Sequence, residues 1–552
     1  MGQSLTLRFA MLLSASAQYR RVSLDTSTRI VRALADRGYN ADRQAVTLLA
    51  SASDPATAIE RAIETVPEDT VVITSDHVKE VVDTPASGPK DVDSAKPTTT
   101  ENDNPQDPPI STGKGSQQPT DKKGEVPVET EGSGNDTRGT SSRETTPAST
   151  GRSPVEPELS GDIQSTGTGE YDDFVSVFRD RYEKLSAQLR GRVNHRPTDA
   201  VAGMTGGSDA AIIGMVSDVR STASNHWLVE LEDTNGTFPC LVMKDRDFAD
   251  DVRTLLYDEV IAIEGTLADD AGILFVDAMH FPDVPRTYTP STADRPVEAA
   301  LVSDIHVGSE EFRADAWERF AEWLHTPEAE SVEYLLVGGD MVEGVGVYPD
   351  QDEELDIVDI YDQYEAFSEH LKDVPGDMEI IMIPGNHDAV RLAEPQPAFD
   401  EELREIMSAH DARITANPST VTVEGVSVLM YHGTSFDEII AELPDEHASY
   451  ENPEGTMAQL LRKRHVAPQY GGMTRIAPEE EDHLVMEEVP DILHTGHIHK
   501  LGYGTYHNVL TINSSCWQSQ TDFQRSVNLE PDVGYAPIVD LQTLDLTIRQ
   551  FL

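Results

Sequence analysis

Cysteine is nearly absent: Cys240 and Cys516 are the only two in 552 residues, and they fall in different segments. Two distant thiols exclude a disulfide scaffold or a cysteine zinc site and fit a reducing, cytoplasmic setting. Positive charge is scarce as well. Lys and Arg total 42 against 99 Asp and Glu, a formal net charge of -57, and the acidic excess runs through every region. No basic patch is evident, so any contact with nucleic acid in dilute buffer must come from local basic groups, metal ions or a partner subunit. The C-terminal half has too many apolar runs for a wholly disordered acidic protein, which leaves a hydrated acidic surface suited to concentrated salt. No apolar run approaches the roughly 18 residues needed to span a bilayer.

Aromatic residues vanish between Tyr39 and Tyr171. Within that stretch, residues 84–170 turn to Pro, Gly, Ser, Thr, Asp and Glu, a composition that cannot bury enough apolar surface to offset ordering entropy, so a disordered acidic linker is expected. It follows a small helical unit over residues 23–83, which reads as a docking module. There Thr26 or Ser27 can cap a helix with Ile30, Val31, Leu34 and Ala35 on one face and Gly38 at its end, and short helices are expected around 46–49 and 56–63. Residues 1–22 are expected to be disordered or to precede a true start near Ser23. Arg8 followed by the apolar Phe9-Ala10-Met11-Leu12-Leu13 falls short of a signal peptide, and Met1-Gly2-Gln3-Ser4-Leu5-Thr6 matches a myristoylation pattern only loosely.

Phe174, Phe178, Tyr182, Leu185 and Leu189 recur at helical spacing, predicting an amphipathic helix over about 172–190 within a connecting segment 171–200. Its stripe suits core packing. Across 201–290, alternating runs at 212–219, 227–231, 237–243, 260–267 and 273–281, separated in part by Asp233-Thr234-Asn235-Gly236 and Asp269-Asp270-Ala271-Gly272, predict a five-stranded barrel of the OB type. Trp227 and Phe238 are its candidate platform for single strands. A barrel used only to pack against the next domain is an equal alternative.

Residues 291–552 repeat one pattern: an apolar run ends, and metal-binding residue types follow. Ala299-Ala300-Leu301-Val302-Ser303 leads to Asp304-Ile305-His306, Tyr334-Leu335-Leu336-Val337 to Gly338-Gly339-Asp340, and Ile380-Ile381-Met382-Ile383-Pro384 to Gly385-Asn386-His387-Asp388. Val428-Leu429-Met430-Tyr431 leads to His432-Gly433, and Ile492-Leu493-His494-Thr495 to Gly496-His497-Ile498-His499. Short apolar runs bounded by Gly and Pro predict buried strands, with their carboxyl ends converging on one edge of a sheet. In an extended chain, residues at i and i+2 point the same way, so Asp304 with His306 and His497 with His499 can each face one centre. Oxygen and imidazole donors without thiolate favour manganese, iron or zinc. Taken singly, His306 or His432 is an ordinary hydrogen-bonded histidine, and Asp388 a helix cap. His465, His494 and His507 match no motif position and read as structural or surface residues.

The order Asp-x-His, Gly-Asp, Gly-Asn-His-Asp, His-Gly, Gly-His-x-His resembles the calcineurin-like metallophosphoesterase superfamily over most of 297–520. That resemblance implies an α/β phosphoesterase sandwich binding two divalent ions: Mn2+, or else Mg2+, Fe2+ or Zn2+. Asp304, His306, Asp340 and His499 would hold one ion and Asp340, Asn386, His432 and His497 the other. It further implies that His387 is the acid for the leaving oxygen and that the Glu343 carboxylate orients it. A barrel directly before this domain, the segment Ser515-Cys516-Trp517-Gln518-Ser519-Gln520-Thr521-Asp522-Phe523-Gln524-Arg525 and the run Gly344-Val345-Gly346-Val347-Tyr348-Pro349 are similar to small subunits of archaeal D-family DNA polymerases. From that family follow a 3′-to-5′ proofreading exonuclease, a separate large polymerising subunit as partner, and single-stranded or mismatched DNA 3′ ends as substrate. The rival readings are a free-standing metallophosphoesterase or repair nuclease and a non-catalytic scaffold. No Gly-x-x-x-x-Gly-Lys phosphate loop occurs in the chain.

Overall fold

The computed structural model describes residues 171–552 except 348–350, 352–353 and 409–411, together with 40–41, 45, 49, 58–59, 61–63, 72–73, 77–79, 157–160, 163 and 169. The start near Ser23, the helix expected from Thr26 or Ser27 to Gly38, most of the linker, and Tyr348 and Pro349 lie outside the described residues. In the unit spanning residues 2–127, β1 (Asn40–Ala41) and β2 (Val72–Ile73) pair in parallel. Helical residues occur there at 45, 49, 58–59, 61–63 and 77–79, with Leu49, Ile59 and Val78 buried. The expected helical unit therefore also contains a strand pair.

Among the described residues of the unit that includes 128–552, the first element is β3 (Glu158–Ser160), inside the span read as linker. Next comes α1 (Tyr171–Leu189), and then the barrel: β4 (Asp209–Ser221), β5 (Trp227–Asp233), β6 (Gly236–Val242), β7 (Val260–Leu267) and β8 (Leu274–His280), closed in the order β4-β5-β6-β8-β7. Its interior is filled by inward residues such as Ile212, Val229, Leu231, Cys240, Ile263 and Val276. Phe238 belongs to that interior at 4% exposure, and Trp227 packs against it, so the expected platform is corrected: Phe238 is a core residue with no face for a base. Alternation explains the error, because an aromatic residue in a small barrel fills the inside as readily as it decorates the outside.

Leu185 and Leu189 of α1 pack on Ala211, Ile213, Val260 and Ala262 of the barrel. The same helix reaches the next domain, where Arg181 Nε lies 2.6 Å from Asp482 Oδ2 with both side chains buried. Phe174 and Phe178 meet Tyr470 edge-on, with ring centroids 5.6 and 5.4 Å apart. A second buried pair, Lys463 Nζ to Glu259 Oε2 at 2.9 Å, ties barrel to domain directly. Charges buried in this way fix register, since separating them would leave each uncompensated.

The remaining elements are β9 (Glu298–Val302), α2 (Ala314–Leu324), β10 (Val332–Val337), α3 (Ile360–Leu371), β11 (Glu379–Met382), β12 (Arg413–Ile414), β13 (Ser419–Val423), β14 (Val426–Met430), α4 (Phe436–Glu442), α5 (Pro453–Lys463), β15 (Ile492–Thr495), β16 (Leu501–Tyr506), β17 (Val509–Ser514), α6 (Asp522–Ser526), β18 (Tyr535–Asp540) and β19 (Leu546–Gln550). They build two six-stranded sheets, β12-β11-β10-β9-β18-β19 and β16-β17-β15-β14-β13-β3. β9, β10 and β11 run parallel in the first, and β14, β15 and β17 run parallel in the second.

Successive side chains of a strand face opposite ways, and here both faces are covered, which is why the runs are continuously apolar. Leu301 and Leu336 of the first sheet meet Val421, Val428, Met430 and Ile512 of the second between the sheets. Ala300, Val302, Leu335 and Val337 turn outward under Trp317 and Phe320 of α2 and Phe367 and Leu371 of α3. Leu429 and Leu493 pack under α4 and α5. The architecture is an α/β sandwich of two six-stranded sheets with a five-stranded barrel on its flank. Among the described residues no helix is long and apolar enough to cross a membrane.

Candidate metal centre

The five motif strands supply their carboxyl ends from two sheets: β9, β10 and β11 from one, β14 and β15 from the other. The expectation of a single sheet edge is corrected accordingly. The cleft lies where the open ends of the two sheets meet.

Local backbone geometry also departs from expectation. Asp304 (φ 53°), His306 (φ 57°), Asp340 (φ 52°), His497 (φ 72°) and His499 (φ 54°) are all left-handed, a conformation that costs a non-glycine residue about 1–2 kcal/mol. Alternating left-handed residues, and not an extended chain, turn both members of each pair to one side. The isoleucines between them supply the anchor: Ile305 is fully buried under α2 and α3, and Ile498 is buried among the residues of α4 and α5. Backbone hydrogen bonds lock the first two loops together, Asp304 N to Gly339 O at 2.9 Å and Ile305 N to Asp340 O at 2.8 Å. Glycine is required by close approach at two motif positions. A Cβ on Gly385 would stand 2.2 Å from Asp340 Oδ1, and one on Gly496 2.3 Å from Asp304 Oδ2.

The expected donor residues come together. Asp304, His306 and His499 form one group with donor atoms within 4.8 Å of one another, and Asp340, His432 and His497 form a second. Asp340 also joins His306 and His387 in a third. His306 Nε2 lies 3.0 Å from His499 Nε2, and His499 Nε2 3.4 Å from Asp304 Oδ1. On the other side, His432 Nε2 lies 3.2 Å from Asp340 Oδ2 and 3.1 Å from Asn386 Oδ1. His497 stands edge-on to His432, with centroids 5.3 Å apart.

Outer partners orient these rings. His432 Nδ1 is 2.9 Å from Gly338 O, which turns Nε2 toward the cleft. His306 Nδ1 is 2.9 Å from Glu343 Oε2, which does the same for His306. Burial would raise the Asp340 carboxyl, yet the His432 and His387 rings hold it well below the usual range. Burial would likewise lower His432, but the Asp340 carboxylate lifts it to about 10. Carboxylate oxygens and imidazole lone pairs aimed at shared points are the donor set that divalent ions take, so the residues fit a two-ion site.

Glu343 differs from expectation in which atom does what. Its carboxylate is taken by His306 and by the side-chain amides of Gln518 (2.7 Å) and Gln351 (3.2 Å). Its backbone oxygen, 2.7 Å from Nδ1, is what orients His387, while the carboxylate stays 3.8 Å away. His387 is partly buried and lines a cavity of about 630 Å3 in front of the donors. Asp388 caps no helix: it accepts from Gly385 N at 2.8 Å and Tyr364 Oη at 3.0 Å, bracing the loop that carries Asn386.

Three neighbours were given no role from the sequence. Asp437 of α4 lies 3.2 Å from His497 Nε2. Gln518 braces Glu343, and Gln524 Nε2 lies 2.8 Å from His499 Nδ1. No spacing rule marks such residues, because they meet the centre from separate loops. The unassigned histidines stay outside it: His494 is buried against Ser514 Oγ at 2.9 Å, His465 pairs with Asp482, and His507 stacks on Tyr506.

The family model for the B subunits of DNA polymerases alpha and epsilon matches residues 299–501, which contain every donor named above. The DNA polymerase II small subunit of Halobacterium salinarum is 62% identical over 530 residues, covering 96% of this chain and 99% of that one. Its counterpart in Archaeoglobus fulgidus is 44% identical over 379 residues, 67% of this chain and 75% of that one. In Methanocaldococcus jannaschii the figures are 38% over 389 residues, 68% and 65%. Similarity of this extent and identity, running through the donor-bearing strands, shows that the chain belongs to the family of archaeal DNA polymerase II small subunits.

Proposed function

We propose that this chain is a metal-dependent phosphodiesterase that removes mispaired nucleotides from DNA 3′ ends, a 3′-to-5′ proofreading exonuclease working beside a separate large polymerising subunit. The observation that carries this reading is the convergence of Asp304, His306, Asp340, Asn386, His432, His497 and His499 on one cleft with His387 at its mouth. Asp304, His306, Asp340 and His499 would hold one ion and Asp340, Asn386, His432 and His497 the other, with Asp340 common to both. When bound, two divalent ions, manganese by expectation, supply a nucleophile at neutral pH and offset charge on the phosphate.

The protein's own groups do the rest. Glu343 O accepts from Nδ1 of His387, so the imidazolium form of the ring gives its Nε2 proton to the departing oxygen and is left neutral. The Glu343 carboxylate, kept ionised at about 2 because the His306 ring outweighs the effect of burial, fixes His306 in turn. The acidic surface offers DNA little attraction, so grip on the duplex falls to the large subunit, whose existence the relatives' shared designation as small subunits supports. A scaffold with no catalytic duty would have no need of left-handed backbone at five donor positions.

The test is cleavage of 3′-mismatched primer–templates by the purified full chain in manganese and high salt, alone and with its co-purifying partner. Removal of single nucleotides from the mismatched 3′ end is expected. Absence of any phosphodiester cleavage in both preparations would overturn the proposal.

A further inference from the structure

The cavity before the metal centre is lined by two unlike sets of residues. One is acidic, Asp437, Asp445 and Glu451, and among the described residues lining the cavity none is Lys or Arg. The other is apolar. Phe523, within the short helix α6, and Val527, just past its end, are 63% and 55% exposed and line this same cavity with Leu529. Solvent exposure of that degree for a phenylalanine next to a buried donor cluster has no packing purpose, since neither side chain fills a core.

Helix α6 is nonetheless held in place. Thr521 and Gln524 form a reciprocal capping box, and the Gln524 amide also reaches Nδ1 of the candidate donor His499 at 2.8 Å. Just beyond the helix, Leu529 O accepts from Gln520 Nε2 at 2.7 Å. Phe523 is thereby presented at a fixed offset from the donors. Across the cavity Tyr450 is pinned through its hydroxyl to Asp437 Oδ1 at 2.7 Å.

We infer that Phe523 is a specificity-determining residue, the platform on which the base of the terminal nucleotide stacks while its phosphodiester sits at the donor cluster. The inference rests on the phosphodiesterase activity proposed for this site. Charge sorts the parts of the substrate. A phosphate backbone led along this cavity would meet three carboxylates, of which Glu451 is paired with Lys500 at 3.1 Å, whereas an uncharged aromatic base matches the Phe523 side. Stacking of this kind tolerates any base and needs one that is unpaired, since a base still in the duplex has its faces covered. A frayed or mismatched end therefore enters, and a paired end does not.

The experiment uses the manganese-loaded full chain on two single-stranded oligonucleotides that differ only in whether the 3′-terminal nucleotide carries a base or is abasic. Wild type is expected to show a KM about 5- to 100-fold lower for the base-bearing end. Phe523→Ala is expected to raise KM by a similar factor on that substrate alone, with kcat within about twofold, and Phe523→Trp to restore it. If Phe523→Ala leaves both KM values unchanged, or weakens both substrates equally, the inference is wrong. It is equally wrong if that variant keeps wild-type kinetics but fails to capture the large subunit, because the apolar wall is then a protein interface. Cleavage of neither oligonucleotide by wild type, alone or with its co-purifying partner, would instead remove the phosphodiesterase reading, and the inference with it.

Discussion

The Nε2 atoms of His306 and His499 face each other 3.0 Å apart in a buried pocket, with Asp304 Oδ1 3.4 Å from the second of them. Two imidazole lone pairs at that distance repel unless a proton or a cation lies between them. The neighbouring pair, His432 and Asp340 at 3.2 Å, repeats the arrangement with a carboxylate. Oxygen and imidazole donors gathered in this way are a set that a divalent ion takes.

Asp340 is the residue shared between the two halves, so its charge matters more than its volume. Asp340→Asn is expected to abolish cleavage and to weaken manganese binding at least 10- to 100-fold, while the chain still folds and captures its large subunit. Isothermal titration with manganese, alongside co-purification, checks both. Loss of co-purification would mean that Asp340 has a structural duty.

His387 contacts the donors without belonging to either four-residue set. His387→Ala should leave the manganese stoichiometry at its wild-type value and cut turnover by about 100- to 10,000-fold, the usual worth of an acid–base group. Single-turnover rates with saturating metal give the answer. An unchanged rate would remove the proton-transfer role.

Glu343 offers a way to separate its two contacts. Glu343→Gln keeps the backbone oxygen on His387 but takes the carboxylate from His306, so the expected loss falls on metal affinity, by about 10- to 100-fold. Turnover at saturating metal should stay within roughly tenfold of wild type, well short of the His387→Ala loss. A drop as deep as that of His387→Ala would show that the carboxylate acts on His387 after all.

Glu394 is fully buried, accepts from Tyr431 Oη at 3.0 Å, and is raised by burial from 4.5 to about 7. Because the folded value lies above the unfolded one, its ionisation opposes folding: stability is intact below about pH 4.5 and falls as pH rises toward 7. Glu394→Gln keeps the acceptor and removes the charge. It should therefore stabilise the chain at pH 8, by up to about 3 kcal/mol, and change nothing at pH 4. Thermal unfolding at the two pH values decides it, and equal effects at both would show that burial does not perturb this carboxyl.

Much of this was legible in the sequence because strands buried on both faces write continuous apolar runs, and a metal donor set must stand just past their ends. The same logic gave the five barrel strands and α1. What failed was geometry that a pattern does not encode. Nothing in Asp304-Ile305-His306 announces left-handed backbone, and five apolar runs do not say whether they share one sheet. Phe238 faced the wrong way because a barrel's inside and outside differ by a one-residue shift. Asp437 stayed invisible since it reaches the centre from a helix whose own sequence has no reason to mention it. Gln518 and Gln524, though within the segment 515–525, were given no role because no spacing rule ties them to the donors. Glu343 was found, but its backbone oxygen stands closer to His387 Nδ1 than its carboxylate does.

Anomalous scattering from manganese-soaked crystals of the full chain tests the central claim most directly. Two peaks are expected, one bounded by Asp304, His306 and His499 and one by Asn386, His432 and His497, with Asp340 touching both. A single peak, or manganese found only on the acidic surface, would contradict the account.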